Sequence, residues 1–166
     1  ALISKLKKGE SYVLEPQLLD LMKLHHKNIT YSNDLNCLAS CDITYIAVDV
    51  PTDDNGNSDL SPIKEIIKVV CSTIRKDALV VILCQVPPGF TRALKWPAEQ
   101  LFYQVETLIF GKAIERALYP ERLILGCSNP HQTLNPILSG YLNIYDCPIF
   151  PMRYESAELA KISIFS

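Results

Sequence analysis

Apolar positions along the chain fall into short unbroken β-prone runs and longer stretches with helical spacing, and the two kinds alternate. The run Tyr45-Ile46-Ala47-Val48-Asp49-Val50 stops at Pro51-Thr52, crosses the polar turn Asp53-Asp54-Asn55-Gly56 and reaches Ser58-Asp59-Leu60-Ser61-Pro62. This pattern predicts a strand over 43–50. The helix after it is expected to have Ser61 as its cap and Pro62 at its first position, where a missing N–H costs nothing. Ile63, Ile66, Ile67 and Val70 then recur at helical spacing. A second strand is expected over 78–83, continuous enough to be buried on both faces, and it leaves through Cys84-Gln85-Val86-Pro87-Pro88-Gly89.

Upstream, the pattern predicts a helix over 2–6 stopped by Gly9, a helix over 16–25, a short strand over 28–31 and a helical turn over 34–39. Downstream it predicts a helical segment over 91–98 interrupted by Pro97, a helix from Phe110 or Gly111 to Leu118, and a strand over 123–126. A helix over 130–142 containing Pro136, a short strand within 144–150 and a helix capped by Ser156 complete the series. The alternation predicts an α/β fold, a Rossmann-like parallel sheet flanked by helices. In such sheets ligands lie at the carboxyl ends of the strands, so binding is expected near Val50, Pro51 and Thr52.

Composition narrows the class. The chain has 166 residues, 48% apolar and 20% charged, enough for one core. No apolar run approaches the ~20 residues of a membrane span, and Lys5, Lys7 and Lys8 have no apolar stretch behind them to make a signal peptide. A net charge of −2 gives no electrostatic footprint for nucleic acid. The six cysteines form no C-x-x-C pair, and His25, His26 and His131 are not at ligand spacing from them, so no metal site is expected. Scattered thiols fit a reducing, cytoplasmic setting. The six glycines form no G-x-G pair, so no phosphate-cradling loop can be drawn.

Five segments in order carry a resemblance. Lys8-Gly9 through Glu15-Pro16 is similar to a "G…EP" segment, and Val48 to Thr52 with Asp59-Leu60-Ser61 to "TPT…DLS". Gln85 to Thr91 looks like "STVPVGTT". Gly111-Lys112-Ala113-Ile114-Glu115 with Pro120-Glu121-Arg122 through Gly126 resembles "EGKAIEDFLNPDRIVIG". Ser156-Ala157-Glu158-Leu159 with Lys161 matches the opening of a long central helix. Together they resemble the NAD-binding domain of the UDP-glucose/GDP-mannose dehydrogenase family.

That resemblance implies oxidation of the C6 hydroxyl of a nucleotide sugar to a carboxylate in two NAD-dependent steps, the second through a cysteine thioester that water hydrolyses. It implies NAD as cofactor, with Val48, Asp49, Val50, Pro51 and Thr52 along its pyrophosphate and ribose and Cys84, Gln85 and Val86 on the nicotinamide side. Glu106 aligns with the glutamate of "PEFLREG" and Lys161 with the lysine of "AELxK", which implies proton handling and oxyanion stabilisation. If buried in its apolar stretch, Glu106 would have a raised pKa. Glu106, Thr107, Leu108 and Lys161 are the implied contacts to the nucleotide-sugar substrate. Read without the resemblance, Glu106 is a surface loop glutamate and Lys161 a solvated helix lysine. None of the six cysteines sits in the family's "GxGFGGxCFPKD" setting, and Cys84, inside a strand, reads as core.

By the same alignment the chain lacks the first βαβ unit and most of the central helix. Residues 1–150 are then a partial NAD-binding domain and 151–166 the start of the linking helix, a piece expected to be inactive alone, to expose an apolar strand edge and to self-associate. The parent enzyme is expected to be a homodimer or larger. Departures concern Gln85 for threonine, Phe110 for a glutamate, Val50 for threonine, Gln17 for glycine and Phe165 for an asparagine. Two alternatives stay open, another Rossmann NAD(P)-dependent dehydrogenase and a non-catalytic α/β binding module.

Overall fold

A computed structural model describes residues 2–53 and 58–164. Its elements in chain order are α1 (Leu2–Lys7), α2 (Leu18–Leu24), β1 (Ile43–Ile46), α3 (Ser61–Thr73), β2 (Leu79–Ile82), β3 (Leu101–Val105), α4 (Ala113–Leu118), β4 (Leu123–Cys127), α5 (Pro136–Leu142), β5 (Ile149–Arg153) and α6 (Tyr154–Ile164). The five strands form one sheet in the order β1-β2-β3-β4-β5, parallel at every pairing except β3 with β4. The Rossmann-like α/β expectation holds, with one antiparallel step inside it.

Alternation along β2 explains the layers. Val80 and Ile82 point to the face covered by Ile63, Ile67 and Val70 of α3 and by Tyr154 and Ala157 of α6. Leu79 and Val81 point to the other face, with Leu138 and Leu142 of α5. A strand buried on both faces needs apolar residues at every position, which is why its sequence does not alternate.

Several boundaries differ from expectation, each for a local reason. Strand β1 ends at Ile46 rather than Val50: Leu83 N–H bonds to Ile46 O at 2.9 Å, and beyond it the Cys84 thiol takes up the Val48 N–H. Residues 28–31 make no strand among the described elements, and 91–98 hold a single 3₁₀ turn at Thr91–Ala93. Leu94 then turns extended, and Trp96 donates its indole N–H to Ala78 O at 3.2 Å, tying the segment down before Pro97. Strand β3 was not foreseen. Ser61 is the first residue of α3 rather than its cap, and the Asp59 carboxylate accepts the Ser61 N–H at 2.9 Å. Ile66 faces outward at 38% exposure.

Pro136 opens α5 under an Asn135 cap instead of interrupting a longer helix. Strand β5 runs across residues 150 and 151, and α6 starts at Tyr154, so Ser156 lies inside the helix. Helix α6 packs on β3 and β4, at a position where Gly126 of β4 leaves room for it. Of the polar turn after Thr52, residues 54–57 lie outside the described residues, as does Phe165.

Candidate active site

Parallel pairing of β1 and β2 sets their exits side by side. The Cys84 side chain joins the exits, its thiol donating to Ile46 O and accepting the Val48 N–H, both at 3.3 Å. Beneath, the buried Tyr103 hydroxyl donates to Cys84 O at 3.0 Å. Because β3 lies parallel to β2, its exit reaches the same edge, and Glu106 is the first residue past it. Helix α6 crosses behind, and the Lys161 ammonium donates to Leu83 O.

The result is a cleft of about 540 Å³, within the ~300–1,000 Å³ range of small-molecule sites. Val48, Asp49, Val50 and Thr52 form one wall, Cys84 and Gln85 the next, and Glu106, Leu108 and Lys161 the third, with Ala47 and Leu83 between them. Of the residues expected from sequence, these are brought together. Three are not. Pro51 is exposed outside the cleft lining. Val86, 1% exposed, belongs to the core. Thr107 lines a neighbouring cavity with Lys112, Arg116 and Arg122, and its carbonyl accepts from Arg116 at 3.2 Å. Thr107 thus points away from the cleft that Glu106 and Leu108 line. Glu106 itself is half-buried rather than enclosed.

Lys161 is 8% exposed. Burial holds its ammonium below the ordinary lysine value, while the Glu106 carboxylate and then Cys84 act in the opposite sense. The Cys84 thiol is pushed up by burial, more than the Val48 N–H and Lys161 pull it down. Burial also raises the Tyr103 hydroxyl, with the Glu158 carboxylate adding to it. Cys84 is therefore a protonated, doubly engaged core group rather than an activated nucleophile. Among the described residues no cluster of three His, Cys, Asp or Glu could hold a metal ion.

Two carboxylates that sequence reasoning did not single out hold loops by their backbone amides. Glu158, fully buried, accepts the Gly89 N–H at 2.6 Å and the Thr91 N–H at 2.7 Å. Glu15 accepts the Gly111 N–H at 2.8 Å and the Ala113 N–H at 2.7 Å, at the start of α4. Both belong to segments that carry the resemblance, which was the available signal.

Residues 1–145 match the model of the UDP-glucose/GDP-mannose dehydrogenase family, NAD binding domain. The chain belongs to this family. It is 33% identical over 140 residues to a UDP-glucose 6-dehydrogenase of Rickettsia typhi, covering 76% of this chain and 31% of that protein. It is 29% identical over 175 residues to the UDP-glucose 6-dehydrogenase YwqF of Bacillus subtilis, covering 96% of this chain and 38% of that one. In fold it resembles a GDP-mannose dehydrogenase of Pseudomonas aeruginosa, with a TM-score of 0.82 at 23% identity over 97% of this chain and 41% of the other. The chain thus spans roughly a third of the length of these curated relatives.

The family's cofactor is NAD, and the cleft suits it. Its walls combine apolar Val48, Val50 and Leu108 with the exposed Gln85 amide, the Thr52 hydroxyl and a buried ammonium whose hydrogen bond goes to a neutral carbonyl. A flat, polar-edged dinucleotide bearing negative charge matches that mixture.

Proposed function

We propose that this chain supplies the cofactor side of an enzyme that oxidises the C6 hydroxyl of UDP-glucose, or of a closely related nucleotide sugar, to the uronate. The supporting observation is convergence: Glu106 from the end of β3 and Lys161 from α6 line one cleft with the exits of β1 and β2. Bound NAD would supply the hydride acceptor for C6; Val48, Asp49, Val50 and Thr52 would hold it, with Gln85 on the nicotinamide side.

Lys161 stands where negative charge builds on the substrate oxygen. An ammonium held in a dry cleft stabilises that charge far better than one in water. Its lowered pKa also lets it release and recover a proton more readily than a solvated lysine. The Glu106 carboxylate accepts a proton from the hydroxyl or from water, and Leu108 packs against the sugar. The thiol for the second oxidation is not Cys84, whose proton is committed to Ile46 O. On this reading the chain alone binds NAD without turning over, and it acts within a cytoplasmic homodimer or larger assembly of the parent enzyme.

Calorimetry with NAD and a spectrophotometric assay for NADH with UDP-glucose test this on the purified chain. Binding without turnover is expected. Unaided NADH formation contradicts the proposed incompleteness, and failure to bind NAD contradicts the assignment of the cleft. In a full-length relative, Glu106→Gln at the matching position is expected to lower kcat; unchanged turnover favours a different NAD(P)-dependent dehydrogenase chemistry.

A further inference from the structure

Helix α6 touches the segment that leaves β2 at both of its ends. Lys161 donates to Leu83 O, where the segment begins, and Glu158 receives the N–H groups of Gly89 and Thr91, where it closes. Glu158 and Lys161 are one helical turn apart, so their side chains share a face of α6. Between the two anchors lie Cys84 and Gln85, which line the cleft, and Tyr103 fixes Cys84 from below.

Glu158 is unusual in this position. It is 0% exposed, and among the described residues neither Lys nor Arg is within ion-pair distance of it. Its two carboxylate oxygens each take one backbone N–H, so its hydrogen bonds run entirely to the loop. A buried carboxylate without a paired cation carries a desolvation cost that a neutral apolar residue would avoid. Short charge-assisted bonds to two amides offset part of that cost and have a geometric consequence, because a bidentate acceptor fixes both the distance and the tilt of what it holds.

We propose that Glu158 is a positioning residue for the cofactor cleft: by locking Gly89 and Thr91 onto α6 it sets the spacing between Lys161 and the Cys84–Gln85 wall. The inference rests on the cleft reading above, yet half of its test needs no cofactor. Glutamine at 158 keeps the shape but not the function of the lock, since its Oε1 can accept one N–H while its NH₂ group confronts the other. With that anchor gone, the loop relaxes and Lys161 loses its fixed partner at Leu83.

The experiment compares wild type, Glu158→Gln and Ile63→Val, all as the full chain. Ile63 packs in the same core from α3, so its truncation loosens the core without touching the lock. Acetylation of each lysine in the folded protein is followed by mass spectrometry, and NAD affinity by calorimetry. For Glu158→Gln the expected results are several-fold faster acetylation of Lys161, unchanged acetylation of the exposed Lys64 and Lys68, and NAD binding weakened by about tenfold. For Ile63→Val, Lys161 acetylation stays at the wild-type rate. Unchanged Lys161 reactivity in Glu158→Gln, or an equal rise in both variants, overturns the inference. If wild type fails to bind NAD, the cleft reading falls while the lysine readout still decides the role of Glu158.

Discussion

Gly126 offers the sharpest test of how α6 is seated, because α6 carries both Lys161 and Glu158. A Cβ built on Gly126 would lie 3.0 Å from Ala157 Cβ, 3.0 Å from Tyr103 Cβ and 3.2 Å from Tyr154 Cα. Carbon atoms in contact prefer about 3.5–4.0 Å, so the added methyl group overlaps by roughly half an ångström or more on each side. None of the three atoms can rotate away, since each is a Cα or Cβ fixed by the main chain. Relief requires α6 to move off the sheet and β3 to shift against β4 at Tyr103, which together cost about 1–3 kcal/mol. Gly126 has no positive φ, so the backbone accepts alanine, and the lost unfolded-state freedom returns about 0.4–1 kcal/mol. Taken at mid-range these leave a net destabilisation of about 1.3 kcal/mol, which lowers Tm by about 3–5 °C in a domain of this size. Gly140 in α5 is the control, because an added Cβ there meets nothing within 4 Å. Gly140→Ala is expected to raise stability by about 0.5–1 kcal/mol. Thermal unfolding followed by circular dichroism reads both variants. A Gly126→Ala protein as stable as wild type refutes the close seating of α6 on β4.

Three further expectations follow from single groups. The depressed pKa of Lys161 means that its burial penalty is present at neutral pH and is relieved as pH rises through the lowered folded value toward 10.5. Wild type should therefore gain on Lys161→Met with rising pH in paired denaturant titrations, and a constant gap contradicts the burial. Arg92 holds the Glu155 carboxyl down to about 2, from an ordinary 4.5. That contribution is complete above 4.5 and fades as pH falls toward 2; Arg92→Met should return the carboxyl toward 4.5 by NMR, at a stability cost below about 1 kcal/mol because the pair is partly exposed. Glu15→Ala removes the acceptor for Gly111 and Ala113 and should cost about 0.5–2 kcal/mol, with faster hydrogen exchange confined to those amides and α4; unaltered exchange there means the bonds do not hold the loop.

Pro51 and Pro87 made the two strand-to-loop junctions legible but not where the strands end, since β1 stops at Ile46 and β2 at Ile82; the two-sided burial of β2 was legible in its unbroken apolar sequence. Strand β3 was not. Leu101 to Val105 follows Pro97 without a turn signal, and Gln104 breaks the apolar pattern while spending its side chain on the Tyr45 hydroxyl at 3.2 Å. Missing β3 hid the fact that Glu106 stands at a strand end, where the sheet itself aims it at the cleft. The same omission hid the antiparallel step to β4. Val86 and Thr107 lie outside the cleft lining, in the core and in a neighbouring cavity, because resemblance to a motif does not fix which way each side chain points. Glu15 and Glu158 bind backbone amides far along the chain, a kind of contact that leaves no periodic trace.

The central claim is that the exits of β1, β2 and β3 form a dinucleotide site facing Glu106 and Lys161. Titration of the isotopically labelled chain with NAD, followed by amide NMR, tests it most directly. Shifts concentrated at Val48, Asp49, Val50, Thr52, Cys84, Gln85 and Glu106 are predicted. Shifts confined to the neighbouring cavity around Arg116 and Arg122, or none at saturating NAD, contradict it.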